Sequence, residues 1–436
     1  MSPEELARAS IAKLRAEGWA AYLVGGCVRD TLLGREPKDF DVATAAPPNE
    51  VQRIFPRARQ VGAQFGVMLL REDDAQVEIA TFRRDHEYLD GRRPTRVSFE
   101  QDPKQDVLRR DFTVNALLME PESGQITDLV NGLEDLRGRV IRAIGNPAER
   151  FREDHLRLLR AVRFAARLNF EIEPVTFEAI RQNRSLIRGV SAERIRDELS
   201  RILTEGAPRR GFELLDEAGL LQEILPEIAA MKGVEQPAEF HPEGDVWTHT
   251  LLMLEGLDHP SVTLALGILL HDVGKPGTFR AAPDRIRFDG HVEEGMRLAR
   301  GILARLRYSN DESEQVLSLI ENHMKFKDVP RMRESTIKRF LRMPWFDEHL
   351  ALHRLDCLSS HGSLENYDFV VRKREETPPE QLKPKPLITG KDLIAAGYQP
   401  GPGFSSALKA VEEAQLEGQI QSAEEAMGIA MRVLGS

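Results

Sequence analysis

The feature that most restricts the fold of this chain is a change of hydrophobic period at Pro147. Before it, short apolar runs alternate with glycine and polar turns. "AAYLVGG", "DFDVAT", "GVMLL", "VEIATFR" and "TVNALLM" read as strands of a small sheet. A helix over about 3–17 precedes them, and "VRDTLLG" forms another. After Pro147, "PAERFREDHLRLLRAVRFAARLNF" places apolar residues at helical spacing, and helical patterns continue to the end. The chain therefore reads as α+β: a small-sheet head followed by an all-α remainder. Its 436 residues exceed one compact core. "MKGVEQPAEFHPEGD" and "EETPPEQLKPKPLITG" have the composition of boundaries, which gives expected divisions of 1–146, 147–235, 236–375 and 376–436.

Charge and cysteine content narrow the function. Sixty basic against seventy acidic residues leave a net charge of -10, so the chain is not coated in positive charge, although a local basic groove can still bind nucleic acid. Two distant cysteines, Cys27 and Cys357, form neither a zinc pattern nor a disulfide framework, which fits a reducing cytoplasm. The first residues lack the apolar stretch of a signal peptide, and runs such as "LALGILL" are too short to span a bilayer.

The densest chemistry lies in "LVGGCVRDTLLGREPKDFDVAT". Asp39 and Asp41 occupy alternate positions of a strand, so their carboxylates share a face and repel unless a cation sits between them. Oxygen ligands of this kind suit Mg2+. Gly25 and Gly26 let a triphosphate approach backbone N–H groups at a helix start, and Arg29 adds a guanidinium for phosphate. Glu78 supplies a third carboxylate. A lone D-x-D is common in so charged a chain; the double glycine and Arg-Asp pair beside it give it weight. In "LRRDFTVNAL", Arg110 can hold phosphate or sugar, and Asn115, placed on a strand, can bond a ribose hydroxyl. In "EDHLRLLRAVRF", Asp154 and Arg157 stand three apart on a helix. An acceptor beside a donor fork can read the edge of a base without a nucleic-acid template, with Arg160 and Arg163 extending the stripe toward phosphates. A solvated i,i+3 salt bridge is the ordinary alternative.

Taken in order, "GGCVRD…DFD", "RRDFTVNA", "EDHLRLLRAVRF" and "SAERIRDEL" resemble the motifs of class II tRNA nucleotidyltransferases and bacterial poly(A) polymerases. The resemblance implies a nucleotidyltransferase head followed by helical neck, body and tail. Gly26 and Arg29 would bind nucleotide, Asp39 and Asp41 catalytic Mg2+, and Arg110 ribose or phosphate. Asp154 and Arg157 would pair with the incoming base, supported by Arg160 and Arg163. His155 departs from the proline often found there and is expected to face away. "RRDHEYLDGRRPTRV", with Gly91 and Pro94, resembles the flexible loop by which the family switches from C to A addition.

A second constellation follows. "VWTHTLLML" supplies His249, "LLHDVGKPGTF" supplies His271, Asp272 and Lys275, and "FDGHVEEG" supplies His291. "IENHMKF" supplies His323 and "HRLDCLSSHG" Asp356. Any one of these alone is more often a packing residue. Together they form a mixed nitrogen and oxygen set fit for a divalent transition metal. The set resembles the HD phosphohydrolase superfamily, which implies metal-dependent phosphoester hydrolysis. In the C-terminal piece, Gly401 and Gly403 open a helix whose N–H groups can meet an RNA phosphate, with a packing unit as the equal alternative. The expectation is an enzyme acting on tRNA with ATP and CTP, adding CCA or at least the terminal A, with poly(A) synthesis or A-only addition as alternatives. A nucleotide-signalling synthetase and hydrolase is a more distant rival, disfavoured by the "EDHLR" stripe.

Overall fold

The computed structural model describes residues 1–61, 66–88, 90–92, 94–283 and 285–435. They fall into two compact units, one of Met1–Ala230 with Ile302–Tyr308, the other of Met231–Gly301 with Ser309–Ser436. No described helix is long and apolar enough to cross a membrane.

The first unit opens with helix Pro3–Ala16, started by a reciprocal capping box between Ser2 and Glu5. Its apolar stripe (Leu6, Ile11, Leu14) is buried. Next come β1 (Ala21–Val24), β2 (Asp41–Thr44), β3 (Arg59–Gln60), β4 (Val67–Glu72) and β5 (Ala75–Thr81). β6 (Arg83–Tyr88), β7 (Pro94–Phe99), β8 (Leu118–Met119) and β9 (Ile126–Thr127) complete the strands of the head. Seven of these form one mixed sheet in the order β3-β4-β5-β2-β1-β8-β9. β1 and β2 pair antiparallel with Val24 opposite Asp41, while β2 and β5 pair parallel with Asp41 opposite Glu78. This register brings two distant carboxylates side by side at one end of the sheet. Between β1 and helix Gly26–Leu32, Gly25 adopts φ 82, a left-handed value that makes glycine the natural residue at this turn.

Two expectations for the head change. "TVNALLM" is not one strand: Thr113–Asn115 forms a 3-10 turn and only Leu118–Met119 joins the sheet. The turn is fixed because Asn115 gives its amide to Asp111 and takes a hydrogen bond from Arg29. The segment Arg83–Arg96, expected as a mobile loop, is built as a two-stranded antiparallel ladder of β6 and β7 with Arg83 opposite Phe99. Its alternating polar residues pair outside the main sheet, which left no apolar run to signal a strand. Leu89 and Arg93, like residues 62–65 of "GAQFGVMLL", lie outside the described residues.

Helices Pro147–Glu153, Arg157–Leu168 and Ala192–Thr204 follow in the same unit. The second unit is helical apart from a small antiparallel ladder, Arg280–Ala281 with Ile286–Arg287. Its last three helices, Gly390–Ala395, Pro402–Leu416 and Ala423–Leu434, enclose their own core of Leu393, Ala407, Val411, Ala426 and Ala430.

Candidate active site and metal centre

In the head, Asp41 begins β2 and Asp39 stands just before it, with Phe40 buried between them. Asp39 is exposed and lies outside the strand, so of the expected pair on one strand only Asp41 holds a strand position. Burial, with Glu78 and Asp39 nearby, pushes the Asp41 carboxyl up to about 6, with Arg110 opposing the rise. A Cβ on Gly25 would stand 3.5 Å from Asp41 Oδ2 and 3.7 Å from Arg110 Nη1. The bare glycine thus faces the Asp41 carboxylate and the Arg110 guanidinium together. That is the chemistry a divalent cation and a triphosphate would complete.

Arg110 is held in place by Asp106. Both Arg109 and Arg110 bond this one buried carboxylate, at 2.6 and 3.0 Å, across the i,i+3 and i,i+4 spacing of helix Pro103–Leu108. Asp106 was not among the expected residues, although "DVLRR" shows that spacing. Arg29 behaves differently from expectation. It is 2% exposed, salt-bridged to Asp30 at 2.7 Å, donates to Asn115 Oδ1 at 2.5 Å and lies over the Phe164 ring. Its guanidinium ties helix Gly26–Leu32 to the Thr113–Asn115 turn and does not project as a free phosphate ligand.

A cleft of about 220 Å3 lies between the head and the helices that follow it, lined by Arg109, Arg110, Asp111, Asp154, Arg157 and Arg160. Asp154 and Arg157 both line it, but they do not share a helix. One helix ends at Glu153 and the next begins at Arg157, with Asp154 extended at the cap between them. Arg157 N–H donates to Asp154 O at 3.0 Å, but their side chains take other partners. Arg194 Nη2 chelates both Asp154 oxygens at 3.1 Å. Arg157 donates to Glu153 Oε2, Arg150 O and Arg109 O at 2.8–3.0 Å. Arg160 pairs with Asp111 at 2.5 Å; against its burial, Asp111 is drawn down to about 2, mainly by Arg160. Arg163 turns elsewhere. It is 3% exposed, bonded to buried Glu198 at 2.6 Å, and does not line the cleft. Helical periodicity explains this departure: 163 points into the helical packing while 157 and 160 face the head. Arg194, 40 residues from Asp154, lies in the motif "SAERIRDEL", but no spacing ties it to Asp154. His155 packs its ring against Gly91 and Gly189, and its main-chain N–H donates to Gly91 O at 3.0 Å.

The second unit gathers all six expected ligands. His271, His291 and His323 each place Nδ1 on the main-chain carbonyl three residues earlier (Ile268, Phe288 and Ile320) at 2.6–2.9 Å. Those bonds fix the Nδ1–H tautomer, so each of these Nε2 atoms carries a lone pair. His291 Nε2 and His323 Nε2 stand 3.4 Å apart, each 3.9 Å from Asp272 Oδ1. Burial and the neighbouring His271 push His323 down to about 4, so it is neutral. Asp272 lies 3.0 Å from His271 Nε2, and Asp356 lies 3.2 Å from His249 Nε2. Against its burial, Asp356 and Glu243 push His249 up to about 9, a sign of local negative charge that a cation would balance. His249 and His271 Nε2 are buried and make no hydrogen bond. Converging ring nitrogens and carboxylates of this kind fit a divalent metal centre. His249, His271 and Asp272 form one potential ligand group, and Asp272, His291 and His323 another. A third group, His241, Glu243 and His249, includes two residues of the boundary-like stretch "MKGVEQPAEFHPEGD".

Residues 21–142 match the family described as Poly A polymerase head domain. Residues 169–232 match the probable RNA and SrmB-binding site of polymerase A, and residues 245–356 the HD domain. The CCA-adding enzyme of Levilactobacillus brevis is 33% identical over 428 residues, 97% of this chain and 96% of that protein. That of Streptococcus suis is 32% identical over 425 residues, 95% of this chain and 93% of its own. The crystal structure of the Bacillus stearothermophilus CCA-adding enzyme in complex with CTP is similar with a TM-score of 0.75 at 27% identity, covering 100% of this chain and 99% of that one. The Thermotoga maritima CCA-adding enzyme complexed with tRNA shares the fold, with a TM-score of 0.61 at 20% identity, covering 99% and 94%.

Proposed function

The chain belongs to the family of class II CCA-adding enzymes and is a tRNA nucleotidyltransferase, and from that premise we propose that it completes the CCA end of tRNA from CTP and ATP without a nucleic-acid template. The observation that carries this reading is the cleft in which Asp154 and Arg157 are both held by other residues before any base arrives. Arg157 spends three N–H groups on fixed acceptors. Its remaining donors, beside the Asp154 carboxylate, form a rigid acceptor and donor pair. Cytosine and adenine each offer an amine beside a ring-nitrogen acceptor and suit that pair. Uracil and guanine do not, and each mismatch leaves buried groups unpaired at about 1–3 kcal/mol.

In this reading Asp39, Asp41 and Glu78 hold Mg2+, which when bound supplies positive charge for the reacting phosphate oxygens. Gly25 and Gly26 admit the triphosphate, and Arg110, fixed by Asp106, lies beside it. Arg160 orients Asp111 at the far wall. The RNA 3′-hydroxyl attacks the α-phosphorus and pyrophosphate leaves. Arg29 and Arg163 act through packing. The head spans 1–146, neck and body 147–235, the HD domain 236–375 and an RNA-binding tail 376–436. The HD set holds a divalent transition metal for hydrolysis of phosphoesters at RNA or nucleotide ends.

The test is incorporation on tRNA lacking CCA, or only its last A, with labelled CTP and ATP. Addition of three nucleotides followed by a stop supports the reading. A long A tract on any RNA supports poly(A) synthesis, and incorporation of A alone supports an A-adding enzyme. Asp154→Ala is expected to admit UTP or GTP. Slowing of all four nucleotides with the C and A preference intact would reduce Asp154 and Arg194 to a structural salt bridge.

A further inference from the structure

The segment from Met231 to Asp245 has the composition of a linker, but it is built into the second metal centre. We infer that it is the outer shell of that centre, with Glu243 the positioning residue that sets the orientation of His249. This inference rests on the reading that the HD set holds a metal.

His249 stands apart from its three partner histidines. They park Nδ1–H on main-chain carbonyls, whereas His249 places Nδ1 on a carboxylate, Glu243 Oε1, at 2.7 Å. Its side chain is fully buried, in the interior of helix Val246–Glu255, where the main-chain carbonyls are already used by the helix itself. A side-chain acceptor is therefore needed to hold Nδ1–H and keep Nε2 turned toward Asp356, 3.2 Å away. Glu243 is in turn gripped by His241 Nδ1 at 2.9 Å, on the same oxygen. Its side chain is only 8% exposed and its other oxygen, Oε2, is buried without a hydrogen bond. That is a strained place for a carboxylate unless the charge serves the cluster beside it.

The same segment touches the centre a second time. Gln236 is buried and accepts from Lys275 Nζ at 2.6 Å, and Lys275 Nζ lies 2.7 Å from Asp272 Oδ2. One end of the segment thus steadies a carboxylate of the set and the other end a histidine. Asp245 locks the two ends together. Its Oδ1 caps the helix by accepting from Thr248 N, and its Oδ2 accepts from Gly233 N at 2.6 Å. An anionic outer partner fixes the tautomer of a ligating histidine and strengthens it as a donor, and loss of such a partner typically lowers metal affinity about 10- to 100-fold.

The experiment is metal binding by the full-length chain, with Co2+ as probe. Equilibrium dialysis gives affinity and stoichiometry, and the visible absorption of bound Co2+ reports ligand geometry. Glu243→Ala is expected to weaken Co2+ about 10- to 100-fold and to alter its spectrum. Glu243→Gln keeps an acceptor without the charge and should fall between Ala and wild type. Far-UV circular dichroism and a cooperative thermal melt of each variant, measured in parallel, show that it is folded. Wild-type affinity and spectrum in both variants would overturn the role of Glu243 while leaving the metal reading intact. Failure of the wild type to take up Co2+, Mn2+ or Ni2+ would overturn both. If Glu243→Ala does not fold, Glu243→Gln and His241→Ala decide the matter: unchanged Co2+ affinity in both refutes the inference.

Discussion

Asp41 and Arg163 show how much a single side chain depends on what the fold puts beside it. Burial and two neighbouring carboxylates raise the Asp41 carboxyl to about 6 from an unfolded value of about 4. A carboxyl raised in this way binds its proton more tightly when folded. Its contribution is present below about pH 4 and lost as pH rises through about 6, at most about 3 kcal/mol. Metal-free Asp41→Asn should therefore melt higher than wild type at about pH 7 and equally at about pH 4, while losing nucleotide addition. Thermal melts at both pH values with chelator check this; parallel curves would show that Asp41 is not strained. Arg163 sits in a buried pair with Glu198. Arg163→Ala leaves a buried carboxylate alone and should destabilise the chain by about 3–5 kcal/mol in urea titration. The surviving folded fraction should keep its C and A preference, because the side chain does not line the cleft. Neither behaviour could be read from the sequence, which shows Arg163 as one more member of a stripe.

At the scale of elements, the informative piece is the hairpin of β6 and β7. It meets the bend between Glu153 and Arg157 through His155, whose ring occupies the space any side chain at Gly91 would need. Gly91 also has φ 65, which disfavours other residues. Gly91→Ala should push the His155 ring off the bend that carries Asp154, and so impair A addition more than C addition by several-fold. Single-turnover incorporation of each nucleotide separates the outcomes: equal loss of both would mean that the hairpin only supports the fold. The bend itself was misplaced by periodicity. "REDHLRLL" continues an apolar pattern through Asp154, while the backbone breaks there. The break turns two residues that would share a helix face into two walls of one cleft.

At the scale of the whole molecule, the two sites fall in different compact units. The carboxylates of the head lie within residues 39–78, and all six candidate metal ligands lie within Met231–Gly301 and Ser309–Ser436. A His271→Ala and Asp272→Ala double variant should retain nucleotide addition within about two-fold and lose all metal-dependent hydrolysis of 2′,3′-cyclic or 2′-phosphate substrates. Assay of both activities on one preparation checks it. A collapse of nucleotide addition in a variant that still melts cooperatively would show that the units depend on each other.

The sequence by itself determined the change from sheet to helix at Pro147, the glycine turn before two aspartates, and the six scattered candidate ligands of the second unit. These follow from period, backbone freedom and residue type, which are local properties. Tertiary structure decided which charges are free to act. It placed Asp41 opposite Glu78, turned Arg29 and Arg163 inward, and gave Asp154 to Arg194 and Arg157 to Glu153. It also made a linker-like stretch into the shell around His249. The physical reason is that a charged side chain takes its role from the partner and burial it finds, and spacing alone does not say whether that partner lies 4 residues away, as Glu153 does from Arg157, or 40, as Arg194 does from Asp154.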